Sequence, residues 1–460
     1  MADAGLLGIV ILLCMFGVRG RMGYNPIKVS QAYFCTDPRL NQLGISPAFN
    51  LLTSVYDDLR PENQHLALMP DTEAITYVQN TLHTQGIEGK SPIVYPVLPD
   101  SSRPAINPNI VILLMESMSK KLLDKGMTPF LDSLREQSLW FENAYSSGNH
   151  TNHGVFSTLY GWPVLMFRNT MKSSVVGRFQ GLPTILAHEG YTNLFFMTHE
   201  SQYDNMKAFL MTNGFHEIYS QENYPSEAVV NSFGVQDDYL YNFAINTLDK
   251  KSGVSKPFFA VLLSISNHPP YVLPKDFQPH HKEIEKAIVE YADWSLSNFF
   301  AQARKKSWSK NTLFVLVGDH GKITSEQESE LPESMNHVPL AIMGAGVQNK
   351  VRKDFVLQED IMHTILSICN VPYVHNGLGL DALTQKRDYA FYAGDKYIAA
   401  RDSCFLYLYN PSEKKEFFYD LSGTSPKKIK GNKKSKNMGD YTKAMHQMTQ
   451  YAMEHYLTNK

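Results

Sequence analysis

Five apolar runs of strand length recur through the middle of the chain, and the first four end in polar residues. They are "NIVILLMES" from Asn109, "NLFFMTH" (193–199), "PFFAVLLSISNH" (257–268), "TLFVLVGDHG" (312–321) and "VPLAIMG" (338–344). Uninterrupted apolar runs, rather than alternating ones, are expected of strands buried on both faces of a parallel sheet. Helical patterns such as "MTPFLDSLREQS" and "HKEIEKAIVEYADWSLSNFFAQARKK" lie between them. Strands that alternate with helices predict an α/β fold with a doubly wound, mostly parallel sheet, over residues 105–385. No internal repeat is visible.

The pattern changes at about residue 386. "YAFYAGDKYIAARDSCFLYLYNPSEKKEFFYDL" alternates as antiparallel strands do, and "YTKAMHQMTQYAMEHYL" reads as a final helix. Residues 386–460 are therefore expected to form a small C-terminal α+β subdomain. The basic stretch "SPKKIKGNKKSKN" between these pieces reads as a solvated loop, with contact to anionic lipid headgroups as the sharper alternative.

At the other end, Ala4 to Val18 is "AGLLGIVILLCMFGV", followed by Arg19 and Arg21. The run is shorter than the roughly 20 residues a spanning helix needs. Only Asp3 precedes it as a charge, so it lacks the basic leader of a signal peptide. With no polar face, residues 1–21 are expected to be the outer end of a transmembrane helix whose companions lie outside this chain, ahead of a buried helix. Residues 22–104 are irregular and proline-rich and read as a membrane-proximal linker wrapping the main domain.

Composition narrows the function. Of 460 residues 43% are apolar and 19% charged, which is globular, and a net charge of -2 gives no global field to attract nucleic acid. Four scattered cysteines without a CxxC pair exclude a zinc knuckle or a dense disulfide framework.

In an open parallel sheet, ligands bind beyond the carboxyl ends of the strands. Glu116 ends the first run, His199 and Glu200 the second, Asn267 and His268 the third, Asp319 and His320 the fourth. Glu116, Asp319 and His320 offer two carboxylates and an imidazole, a set suited to a hard or borderline cation; a strand-capping turn is the plainer reading of "GDHG". The stretch "SSGNHTNHGVFSTLYG" (146–161) places Thr151 at the start of a helical run. A threonine hydroxyl needs a base or metal to act as a nucleophile, and helix-terminal amides favour a phosphate beside it. Helix capping is the alternative role for Thr151. His150 and His153 flank it, His337 precedes a strand close enough to reach the same edge, and Trp162 reads as core.

Taken in order, "MES", "SGNHTNHGVFSTLYGWP", "SNHPPY" and "GDHG" resemble the motifs of the lipoteichoic acid synthase and phosphoglycerol transferase branch of the alkaline phosphatase/sulfatase superfamily. The resemblance covers roughly residues 105–385. It implies Glu116, Thr151, Asp319 and His320 around one divalent ion, manganese ahead of magnesium or zinc, with Thr151 as nucleophile and His268 on the transferred phosphate. "YDNMKAFLMTNGF" (203–215) resembles the segment that lines the headgroup pocket, although Asp204 and Asn205 stand where the branch carries a basic residue. His199 and His337 join that pocket as expected substrate contacts. No Cys or Ser is followed by x-P-x-R here, so the formylglycine chemistry of a true sulfatase is not expected. The expected enzyme moves a phosphate-linked headgroup, phosphoglycerol first, from a phospholipid to a glycan or polymer hydroxyl at the outer face of a membrane. A metal-dependent phosphodiesterase or phosphatase, and a non-catalytic envelope protein, are the alternatives.

Overall fold

The computed structural model describes residues 2–22, 26–35, 40–41, 43–60, 65–87, 90–166, 168–172, 176–252, 256–324 and 329–459. In chain order the strands are β1 (Tyr95–Val97), β2 (Asn109–Met115), β3 (Leu139–Tyr145), β4 (Thr192–Met197), β5 (Glu217–Tyr219), β6 (Phe258–Leu263), β7 (Thr312–Gly318), β8 (Leu340–Gly344) and β9 (Lys350–Leu357). They are followed by β10 (Tyr373–His375), β11 (Ala390–Ala393), β12 (Ile398–Arg401), β13 (Phe405–Asn410), β14 (Lys415–Asp420) and β15 (Lys427–Lys428). An eight-stranded sheet runs β5-β4-β6-β2-β7-β8-β3-β9. β2 sits at its centre, parallel to both β6 and β7.

The uninterrupted apolar runs have the expected physical cause. Ile110, Ile112 and Leu114 face one hydrophobic core, while Val111, Leu113 and Met115 face a second on the other side of the sheet. Both faces are covered, so no position from Ile110 to Met115 is left for a polar residue until the strand ends at Glu116.

Two strands depart from the pattern. β8, the run "VPLAIMG", is antiparallel to β7 and to β3. A parallel neighbour needs a crossover, usually a helix, and among the described residues between β7 and β8 only the turn Glu333–Met335 is helical. β9 is an edge strand, parallel to β3, with half of its positions polar and most of them partly or fully exposed. Its sequence, "KVRKDFVL", carries no apolar run to mark it.

Residues 390–428 form a five-stranded antiparallel sheet in the order β11-β12-β13-β14-β15, as the alternation predicted. The last helix, Lys433–Glu454, begins inside the basic stretch, where the Asn432 side chain accepts from Lys434 N and Ser435 N. That stretch is therefore not a plain solvated loop: it holds the short strand β15 and, past the Asn432 cap, the first turn of the helix, which lysines favour. The helix packs on Asp71–Leu82 from the linker, and β1 pairs with β10.

The amino-terminal run is a helix, Ala2–Arg19, whose apolar side chains from Leu6 to Val18 are exposed. Among the described residues no helix is long and apolar enough to cross a membrane. All four cysteines are free.

Candidate active site

β2 and β7 end side by side, and their polar ends meet. Met115 pairs with Gly318, so Glu116 and Asp319 emerge as neighbours at the carboxyl edge. Ser117 turns the chain with a left-handed φ of 52°, and its backbone N–H donates to Asp319 Oδ1 at 2.8 Å. Its hydroxyl donates to Glu116 Oε1 at 2.6 Å. Glu116, Asp319 and His320 are all buried, with one ligand atom from each lying within 4.8 Å of the others.

The donors fit a metal. Asp319 Oδ2 is buried without a hydrogen-bond partner. Burial, and then the Glu116 carboxylate beside it, holds the Asp319 carboxyl well above its ordinary range. His320 Nδ1 donates to the Gly321 carbonyl at 2.7 Å, which leaves the Nε2 lone pair facing Glu116 Oε1 and Asp319 Oδ2, each 3.7 Å away. Two packed carboxylates and an inward-facing imidazole repel or crowd one another without a cation, and suit a divalent one.

Thr151 joins this set from a separate element. It is the first residue of the buried helix Thr151–Tyr160, and its Oγ1 donates to Glu116 Oε2 at 3.1 Å. His150 occupies the cap position, so the capping role considered for Thr151 is not the one it has. Gly154 explains how the helix comes so near: a Cβ there would lie 2.3 Å from the Asp319 carbonyl oxygen. Asn152 donates to Asp204 Oδ2 at 3.0 Å.

The remaining candidates divide. His199 is buried, its Nε2 unpartnered and its basicity lowered by burial, and it packs on Tyr203. His268 is half-buried just beyond the carboxyl end of β6, next to Asn267, and is held by the Pro269 carbonyl and by the Phe233 ring at 4.2 Å. Asp204 lies 2.6 Å from Lys172 Nζ. Asn205 instead donates to the Met171 carbonyl and serves the backbone. His337 does not reach the cluster: its Nε2 donates to the Glu142 carbonyl, it pairs with Glu333, and its ring stacks on Tyr145. The β3 backbone captures it because β8 runs antiparallel beside β3. His150 pairs with Asp395 across the surface, His153 is buried and pushed down to about 3 by that burial, and Trp162 is core.

Three residues outside the sequence reading also belong here. Lys322 donates to Asn267 Oδ1 at 2.6 Å, and Asn267 Nδ2 bonds the carbonyls of Glu116 and Ser117. Burial pushes the Lys322 amine down to about 8. Its position directly after "GDHG" was a signal that could have marked it. Gln358, from a helix some 40 residues beyond Asp319, clamps the Gly318 and Asp319 carbonyls and accepts from Ser147 N. Lys172 follows the buried helix, and nothing local in sequence distinguishes it.

A doubly covered, mostly parallel sheet with a hydroxyl and a cation-binding cluster at its carboxyl edge defines an enzyme centre of the alkaline phosphatase type. The chain belongs to the sulfatase family, whose model matches residues 108–371, more than half of its length. It is similar to the lipoteichoic acid synthase of Staphylococcus aureus (strain NCTC 8325 / PS 47), 23% identical over 360 residues, covering 69% of this chain and 53% of that protein. It spans about half the length of the curated relatives it matches. Among the solved structures that share the fold are two with high coverage. One is a protein in the alkaline phosphatase superfamily from Vibrio parahaemolyticus, with TM-score 0.76, 24% identity, and coverage of 85% of this chain and 98% of that one. The other is the lipoteichoic acid synthase LtaP from Listeria monocytogenes, with TM-score 0.67, 19% identity, and coverage of 83% and 98%.

Proposed function

We propose that this enzyme transfers a phosphate-linked headgroup, phosphoglycerol first, from a phospholipid to the hydroxyl of an envelope glycan or polymer. The work is done at the outer face of a membrane. The observation that carries the reading is Thr151 Oγ1 at 3.1 Å from Glu116, inside the Glu116, Asp319 and His320 cluster and at a helix start. The likeness to lipoteichoic acid synthases supports the choice of donor.

Thr151 attacks phosphorus as its hydroxyl proton leaves toward Glu116. The bond from phosphorus to the diacylglycerol oxygen breaks, and that oxygen takes up a proton beyond the carboxyl end of β6, where His268 stands. A phospho-threonine diester remains. An acceptor hydroxyl then attacks the same phosphorus, loses its proton, and Thr151 departs as a hydroxyl. Glu116, Asp319 and His320 would hold a divalent ion, manganese first, whose Lewis acidity lowers the energy of the threonine oxygen and of the charged phosphoryl group. Amides at the start of the helix Thr151–Tyr160 add fixed positive potential for the phosphate. With water in place of the acceptor, the same steps give a phosphodiesterase, which is the second reading.

Intact-mass measurement after incubation with manganese and phosphatidylglycerol, beside Thr151→Ala, tests this. A glycerophosphate-sized increment in the wild type alone is the expected result. No increment with phosphatidylglycerol or phosphatidylethanolamine, in protein shown to bind metal, overturns the transferase reading.

A further inference from the structure

Two described parts of the chain after the amino-terminal helix touch the elements around Glu200 and Asp204. Arg21 Nη2 lies 2.5 Å from Glu200 Oε1, one residue beyond His199. The turn Val29–Ala32 packs on the helix Met206–Thr212, which continues from Asp204 and Asn205. Lys28, at the start of that turn, lies within electrostatic reach of Lys172, Asp204 and Glu200. Lys172 is bonded to Asp204, and Asp204 to Asn152, the neighbour of Thr151.

This cluster holds three cations, Arg21, Lys28 and Lys172, against two carboxylates, Glu200 and Asp204. Two of the cations are paired. The Lys28 side chain is half-buried and, among the described residues, makes no hydrogen bond or ion pair. Partial burial and the like charge of Lys172 both disfavour its ammonium, so it stands where an anion would relieve it. The basic group missing from residues 203–205 thus arrives from elsewhere in the chain.

The surroundings say which anion. Of the 28 large apolar side chains exposed among the described residues, 20 fall within residues 6–59. These include the helix Ala2–Arg19 and Phe49, Leu51, Leu52 and Val55 of the helix Pro47–Asp58. Concentrated exposure of this kind marks a surface meant for an apolar partner, and basic residues directly beside it suit anionic headgroups.

We infer that Arg21, Lys28 and Lys172 form a port that receives the phosphate of an anionic phospholipid, presented by a bilayer lying against residues 6–59. This rests on the lipid donor proposed above and adds where the lipid docks before Thr151. Lys172 is bonded to Asp204, and Asp204 to Asn152, so a headgroup held by these cations is one residue's contact away from the nucleophile.

The test is equilibrium binding of the full chain to phosphatidylcholine vesicles carrying increasing phosphatidylglycerol, in a Thr151→Ala background that prevents turnover. Binding should strengthen with phosphatidylglycerol and weaken with salt. Lys28→Ala should lose about fivefold of the phosphatidylglycerol preference and Lys28→Glu about 25-fold, following the usual contribution of one basic side chain near an anionic surface. Lys28→Arg should retain it, and Lys310→Glu, on the exposed turn before β7 at the opposite edge, should not change it. A parent protein without the preference, or a Lys28→Glu variant that keeps it, overturns the port. The mass increment at Thr151 is read separately: its absence with a Lys28-dependent preference removes the transfer reaction and leaves the port.

Discussion

Gln358 holds Asp319 from behind: its Nε2 donates to the Asp319 carbonyl at 2.7 Å and to that of Gly318 at 2.9 Å, while its Oε1 accepts from Ser147 N at 3.0 Å. One amide therefore ties the carboxyl end of β7 to the loop that delivers Thr151. Gln358→Leu leaves three backbone groups buried without partners, each costing about 1–3 kcal/mol before relaxation. The expected loss in urea unfolding is about 2–4 kcal/mol. Because the pair sets geometry rather than touching substrate, kcat should fall about tenfold with KM little changed.

Gly154 is required for approach, not for turning. A Cβ would meet the Asp319 carbonyl oxygen at 2.3 Å and its Cα at 2.7 Å, both backbone. Gly154→Ala should push the helix Thr151–Tyr160 away from β7 and lower the melting temperature. Calorimetric titration with manganese should show affinity down by about 100-fold, the upper range for loss of support around metal ligands. Unchanged affinity would show that the cluster tolerates the shift.

Asp319→Asn removes the buried charge whose partner is a cation. Metal binding should drop below detection in the same titration. The metal-free protein should become more stable than wild type, because a costly buried carboxylate beside Glu116 is gone. Opposite movement of the two readouts is what a metal carboxylate predicts; equal loss of both would mark Asp319 as purely structural.

Lys322 reaches the site through Asn267 and supplies a cation near the carboxylates without ligating the metal. Lys322→Ala should raise KM for a phosphodiester about tenfold, as for loss of one charge-assisted hydrogen bond, and leave manganese affinity within about twofold. Lys322→Arg should recover part of it. A metal affinity that falls with KM would place Lys322 in the support of the ligands instead.

Acid stability should report two buried histidines far from the site. Burial pushes His375 and His446 each down to about 4. Unfolded histidine titrates near 6.5. Between about pH 6.5 and 4 the unfolded chain takes up protons that the folded chain refuses, so stability falls as pH drops through that window. Each contributes at most about 3 kcal/mol to that loss. Chemical unfolding from pH 7 to 4 should show a shallower decline for His446→Gln than for wild type.

The strands that carry the site were legible because burial on both faces leaves a continuous apolar run, and the run must stop where the chain meets solvent. Glu116, His199, His268, Asp319 and His320 are each announced in that way. β9 was not, since an edge strand with polar positions has no such pattern, and β8 showed its presence but not its direction. His337 shows the same limit: its distance along the chain from Asp319 says nothing about which strand will capture its ring.

The sequence by itself determined the α/β class, the carboxyl-edge residues and the threonine beside them, because periodicity and strand ends are local properties. Only the tertiary structure decided that Gln358 clamps Asp319, that Gly154 lets the helix close, and that Arg21, Lys28 and Lys172 gather around Glu200 and Asp204. Those partners lie tens to hundreds of residues apart, and their meeting depends on strand order and helix packing, which no local pattern encodes.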